Sequence, residues 1–218
     1  DAPERDDIAI IGLAGRYPMA DDIEELWENL KAGKDCIGEI PDDRWDYRPL
    51  FDPSSRSGPK VYSKWGGFVR DVDRFDPLFF NIAPKEAELM DPQERLFLET
   101  AWHAFEDAGY TRSLLSARPV GVFVGAMYAH YQLVGATSPA PEALPAVGNF
   151  FAAIANRVSY FFNLRGPSVA LDTMCSSSLT ALHLACESIR RGETELSLAG
   201  GVNLTIHPNK YRVLSQGR

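Results

Sequence analysis

The residues best suited to chemistry lie in one stretch, Val169-Ala-Leu-Asp-Thr-Met-Cys-Ser-Ser-Ser-Leu179. A short apolar run of strand character ends, the chain turns, and a helical pattern begins at Cys175. A thiol there sits near the positive end of the helix macrodipole and near unpaired backbone N–H groups. Both favour the thiolate, which is the nucleophile. The backbone N–H of Cys175 is also placed to help hold an oxyanion. Against this stands the ordinary role of cysteine as a small buried hydrophobe. Pattern alone leaves both readings open for Cys175. Cys186 falls on the apolar stripe Leu179, Leu182, Cys186 and Ile189 and is expected in the core. Cys36, just past a helix end, is expected in or near it.

No base accompanies the thiol within the motif. His183 is eight residues along the same helix; at a rise of ~1.5 Å per residue that is ~12 Å along the axis, beyond hydrogen-bond reach. His103 lies inside another helix, and His130 and His207 lie on loops or element ends, so a Cys–His protease is disfavoured. Gly12-Leu-Ala-Gly15 follows an apolar run but lacks the third glycine, and Pro18 interrupts the helix start, so it is a poor dinucleotide loop. The acidic pairs Asp6-Asp7, Asp21-Asp22, Glu24-Glu25 and Asp42-Asp43 read as caps or solvated faces.

The elements that must position Cys175 follow from periodicity. Ile8–Leu13 reads as a strand buried on both faces. Asp22 caps a helix carrying Ile23, Leu26, Trp27 and Leu30, which Gly33 stops. Residues 35 to about 80, with five prolines among Trp45, Tyr47, Phe51, Tyr62, Trp65 and Phe68, read as irregular, aromatic-anchored chain with short strands and no domain boundary. Asp91 caps a second helix, with Pro92 in its first turn, Glu94 able to reach back, and Leu98, Ala101, Trp102 and Phe105 on its buried stripe. Val120–Val124 is a buried strand, 135–148 a Pro/Ala/Gly-rich loop, and 149–160 a helix with Phe150, Phe151, Ile154 and Val158 on one side. Ser168–Leu171 is a strand leading into the helix of about Ser176–Arg191, and Leu196–Thr205 is the last strand. Strands alternating with helices predict an α/β layered fold around a mainly parallel sheet.

The 218 residues are 45% hydrophobic and 24% charged, which disfavours disordered and membrane classes. There is no bilayer-length apolar run and no signal-like start. A net charge of −8 argues against nucleic-acid binding. Three cysteines without paired spacing argue against disulfides and zinc, and fit a cytoplasmic setting.

The run Asp172–Ala185 resembles the active-site signature of modular polyketide synthase ketosynthases, the beta-ketoacyl synthase family. The likeness extends along the chain in the family's order. It takes in Ile10-Ile-Gly-Leu-Ala-Gly-Arg-Tyr-Pro18, Pro41-Asp-Asp-Arg-Trp45, Gly66-Gly-Phe68, Asp73-Arg-Phe-Asp76, Met90-Asp-Pro-Gln-Glu-Arg-Leu96, Glu106-Asp-Ala-Gly109 and Ala199-Gly-Gly-Val-Asn203. Ile154–Tyr160, Met174 and His207–Gln216 resemble bacterial synthases whose acyltransferase acts in trans, the assembly lines of antibiotic biosynthesis.

The resemblance implies an α/β, thiolase-like layered α-β-α-β-α fold, here its N-terminal half, with residues 1–218 forming that half and the parent a homodimer. It implies that Cys175 is the nucleophile, its N–H an oxyanion donor, and Met174 a residue lining the acyl pocket. No cofactor is implied for the domain. Substrates arrive on the phosphopantetheine of acyl carrier protein, and a malonyl unit on another carrier protein then loses CO₂ and attacks the acyl thioester. The family's catalytic histidines and lysine belong to a second half whose motifs do not occur here. These residues alone are therefore expected not to condense, and to be unstable or sticky. Two further readings stay open: a non-elongating ketosynthase that only passes the acyl chain on, and a non-catalytic half that docks carrier protein.

Overall fold

The computed structural model describes residues 7–55, 59–136 and 149–216. Its helices are α1 (Ile23–Lys31), α2 (Pro84–Leu89), α3 (Pro92–Asp107), α4 (Arg112–Leu115), α5 (Tyr131–Ala136), α6 (Phe151–Phe162), α7 (Ser177–Arg190) and α8 (Asn209–Gln216). Its strands are β1 (Gly38–Glu39), β2 (Trp65–Gly66), β3 (Val120–Gly125), β4 (Ser168–Leu171) and β5 (Leu196–Gly201). The chain divides into two compact units. The described part of the first runs over 7–14, 75–129 and 149–203, and that of the second over 15–55, 59–74, 130–136 and 204–216.

The first unit is built on a parallel sheet in the order β4-β3-β5. The run Val-Gly-Val-Phe-Val-Gly is buried at every position because β3 is central and covered on both faces. Side-chain alternation then sorts its residues. Val120, Val122 and Val124 join the large core with Leu98, Ala101 and Phe105 of α3 and Ile154, Val158 and Phe162 of α6. Phe123 points the other way, to Ala181 and Ala185 of α7. A helix–sheet–helix layering results, with α7 on the face opposite α3 and α6.

A buried polar network fixes the start of α3. Asp91 accepts from the Gln93 N–H at 2.8 Å as the N-cap, and its own N–H donates to Asn149 Oδ1 at 3.0 Å. The Gln93 side chain donates to the Tyr128 carbonyl at 2.7 Å. Glu94 does not reach back to the cap. Its side chain, 3% exposed, pairs with Arg157 of α6 at 2.9 Å, and Arg157 also meets Glu86 at 3.0 Å. Burial pushes the carboxyls of Asp91 and Glu94 upward, with Gln93 and Arg157 respectively opposing.

Ile8–Leu13 forms no strand, contrary to expectation. Ile10 is 81% exposed and Leu13 60%, and the run is held by the Leu13 N–H donating to Asp107 Oδ2 at 2.8 Å. Strand structure needs a neighbouring ladder, and among the described residues none pairs with it. The 135–148 loop falls largely outside the described residues.

In the second unit, residues 35–55 and 59–74 are irregular and aromatic-anchored, as their composition predicts. β1 and β2 pair antiparallel, Trp45 meets Tyr211 edge-on at 5.7 Å, and the Tyr211 hydroxyl donates to the Trp65 carbonyl at 2.9 Å. Asp22 caps α1 by accepting from the Glu25 N–H at 2.8 Å. None of the α1 residues is fully buried: Ile23 and Leu26 of its apolar stripe are half-buried, and Trp27 and Leu30 are exposed. His130 and His207 lie 6.2 Å apart, ring to ring. Burial first, then neighbouring His207 and Lys210 for His130 and Arg212 for His207, holds both below the usual imidazole range.

Candidate active site

Cys175 lies where the sequence places it, between the end of β4 and the start of α7, and it is exposed. The junction differs in detail from the expected direct helix start. Met174–Ser176 form a 3-10 turn, and α7 begins at Ser177. Met174 takes φ +59, a left-handed conformation in a residue with a side chain, which costs on the order of 1–3 kcal/mol and persists only where the surroundings over-determine it.

Those surroundings are polar and local. The Met174 N–H donates to Asp172 Oδ1 at 2.8 Å. The Ser177 hydroxyl accepts from the Thr173 N–H at 2.9 Å and donates to the Met174 carbonyl at 2.7 Å. Thr173 Oγ1 lies 3.0 Å from both Ser176 Oγ and Thr180 Oγ1. The turn therefore presents Cys175 outward on a short, fully tied loop.

Two strand-end glycines let α7 approach the sheet. A Cβ on Gly125, the last residue of β3, would stand 2.6 Å from the backbone of Ser177 and Ser178. One on Gly201, the last of β5, would stand 2.9 Å from Ser178 Cβ. The start of α7 thus sits directly over the carboxyl ends of β3 and β5, where open parallel sheets place their ligand sites.

The buried face of α7 is not the predicted leucine stripe. Ser177, Ala181, Ala185 and Ser188 face inward, while Leu179 is 71% and Leu182 47% exposed. Small residues let helix and sheet backbones come close, so the larger ones face away. Cys186 and Cys36 are partly buried rather than core. Met174, expected to line an acyl pocket, is adjacent to the thiol and 64% exposed. His183 is on the exposed side of α7, and His103 is exposed beside Glu106. Sequence reasoning missed Asp172, Ser177 and the two glycines. Glycines closing one strand before the helix and one after it were the available signal.

Among the described residues, no group of His, Cys, Asp or Glu could hold a metal ion, and no helix is long and apolar enough to cross a membrane.

Residues 5–218 match the family model described as beta-ketoacyl synthase, N-terminal domain. Polyketide synthase ThaG of Burkholderia thailandensis is 58% identical over 217 residues, covering 100% of this chain and 4% of that protein. Polyketide synthase PksL of Bacillus subtilis is 57% identical, covering 99% of this chain and 5% of that protein. Among solved structures, the oxazolomycin ketosynthase domain OzmH KS7 of Streptomyces albus superposes with a TM-score of 0.92 at 55% identity, covering 97% of this chain and 37% of that one. The ketosynthase from module 6 of the bacillaene synthase of Bacillus subtilis gives 0.85 at 42% identity, over 96% and 34%. The chain thus spans a small part of its curated relatives and about a third of the solved ketosynthases. The fold is the α/β, thiolase-like fold of ketosynthase domains, in its N-terminal half. A turn that offers a thiol over the strand ends, in a chain matched along nearly its full length, places this protein in the beta-ketoacyl synthase family.

Proposed function

We propose that this chain supplies the acyl-accepting half of a polyketide ketosynthase, with Cys175 as the nucleophile. The observation that carries the reading is the exposed thiol on a tied turn at the start of α7, above the ends of β3 and β5. The Cys175 thiolate attacks the carbonyl carbon of an acyl thioester borne on the phosphopantetheine of acyl carrier protein. The N–H of Cys175 donates to the oxyanion that forms. Collapse breaks the bond to the pantetheine sulfur, which leaves as thiolate and takes a proton, and the acyl group stays on Cys175. Met174, next to the thiol, contacts the acyl chain.

The second step is decarboxylative condensation. A malonyl thioester on carrier protein loses CO₂, its carbanion attacks the acyl carbonyl, and the Cys175 thiolate departs as the carbon–carbon bond closes. Histidines of a second ketosynthase half assist that step. Exposed Ile10, Leu13, Leu179 and Leu182 support a further stretch of protein covering the first unit. The ketosynthase relatives support a dimeric parent acting within a bacterial, trans-acyltransferase assembly line.

The test uses the complete protein with acyl and malonyl carrier proteins. Acylation at Cys175 followed by CO₂ release and a lengthened chain is expected. Acylation without CO₂ release identifies a non-elongating ketosynthase, and no acylation leaves only a carrier-docking role. Iodoacetamide should label Cys175 ahead of Cys36 and Cys186, because only Cys175 is exposed. Equal labelling of the three would refute the nucleophile assignment.

A further inference from the structure

We propose that Ser177 is a positioning residue for acyl transfer, setting the direction of the Cys175 N–H through the peptide that precedes it. The assignment rests on the reading of Cys175 as acyl acceptor. The Met174 carbonyl and the Cys175 N–H belong to one planar trans peptide and point in opposite directions. Whatever holds the carbonyl therefore aims the N–H. The Ser177 hydroxyl holds it, donating at 2.7 Å, beside the Ser177 backbone N–H, which closes the 3-10 turn on the same carbonyl; the hydroxyl oxygen also accepts the Thr173 N–H at 2.9 Å. Together the hydroxyl's two bonds bracket both soft torsions of Met174, the residue at φ +59. Without them the carbonyl keeps only the backbone N–H of Ser177, and partial rotation of that peptide relieves the strain and turns the Cys175 N–H away from a developing oxyanion.

Ser177 is itself held. It is 5% exposed, and Gly125 leaves only enough room for its backbone, since a Cβ there would come 2.9 Å from Ser177 Cβ. The neighbouring hydroxyls act differently. Ser176 and Thr180 are tied to Thr173 Oγ1, and Ser176 also donates to the Thr173 carbonyl. Those contacts stabilise the turn upstream of Met174 and do not grip its carbonyl.

The discriminating readout comes from comparing two reactions of the same thiol. Acyl transfer builds an oxyanion on a carbonyl, whereas alkylation by iodoacetamide displaces iodide at a saturated carbon and builds none. In the complete ketosynthase, Ser177→Ala should lower the saturating rate of Cys175 acylation from acyl carrier protein at least ~10-fold and at most ~10²-fold, the upper bound being the scale of one lost oxyanion donor, since the Ser177 backbone N–H still holds the carbonyl. The half-saturating concentration and the alkylation rate should stay as they were. Ser177→Thr, which keeps the hydroxyl, should restore acylation. Ser188→Ala, a buried hydrogen-bonded serine further along α7, should leave both rates unchanged. If Ser177→Ala does not fold, Ser177→Val against Ser177→Thr makes the same comparison between near-isosteres. Unchanged acylation in the hydroxyl-free variant overturns the proposal, as does an equal slowing of acylation and alkylation. Acylation persisting in Cys175→Ala overturns the reading of Cys175 itself, a result distinguishable from either.

Discussion

Gly125→Ala tests whether the seat of α7 on the sheet governs the reactivity of Cys175. The new Cβ would lie 2.6 Å from the backbone carbon of Ser177 and the nitrogen of Ser178, where ordinary contact begins at 3.4 Å. Neither neighbour is the flexible end of a side chain, so the start of α7 must move by about 0.8 Å, the difference between those distances. An added methyl in a packed site costs about 1–3 kcal/mol, offset by about 0.5–1 kcal/mol from the lower chain entropy of alanine in a strand. A net loss on the order of 1–2 kcal/mol leaves the fold standing. Displacement of a reacting group by about 1 Å can cost about 10²-fold in rate. In the complete protein, acylation of Cys175 followed by intact mass should therefore slow by about that factor, while urea unfolding shows a modest shift. Gly38→Ala, where a Cβ meets nothing within 4 Å, serves as control and should change neither. Acylation of Gly125→Ala at the wild-type order of magnitude, with the protein folded, would refute the argument that this close approach sets the site.

Other outcomes follow from the polar network and the histidines. Arg157→Met leaves Glu94 buried without its partner and should cost about 3–5 kcal/mol in urea unfolding, with Glu94→Gln costing less. Because burial raises the Asp91 and Glu94 carboxyls, their contribution to stability is fully present below the ordinary carboxylate range and is lost as pH rises through and above it. Glu94→Gln should accordingly gain on the wild type as pH rises, measured by unfolding at a series of pH values. His130 and His207 have the opposite sign. Depressed by burial and by His207, Lys210 and Arg212, they contribute stability above the ordinary imidazole value of 6.5, and it is lost as pH falls. Unfolding of His130→Gln between about pH 5 and 8 should show a flatter acid limb than the wild type.

Elements whose neighbours are local or covered on both sides were legible in the sequence. Val120–Val124 reads as a buried strand because it is apolar at every position, and the central place of β3 explains why. Asp91 and Asp22 announce helix starts because capping is settled within a few residues. The Cys175 turn is legible for the same reason, since an apolar strand, a polar turn and a helical pattern follow one another without a gap. The leucine stripe of α7 misled. Periodicity shows that Leu179 and Leu182 share a face, but not that the sheet takes the alanine face instead. Ile8–Leu13 misled in a similar way, because its apolar character gives no information on whether a partner strand lies beside it.

By itself, then, the sequence determined the α/β class, the family and the thiol, since each is written in consecutive residues and their order. Only the tertiary structure decided how that thiol is held: the left-handed Met174, the Ser177 hydroxyl across its peptide, and the glycine gaps that seat α7 over β3 and β5. For the glycine gaps the physical reason is distance along the chain. Gly125 and Ser177 are far apart in sequence, and only packing the sheet against the helix reveals that one must lack a side chain for the other to fit.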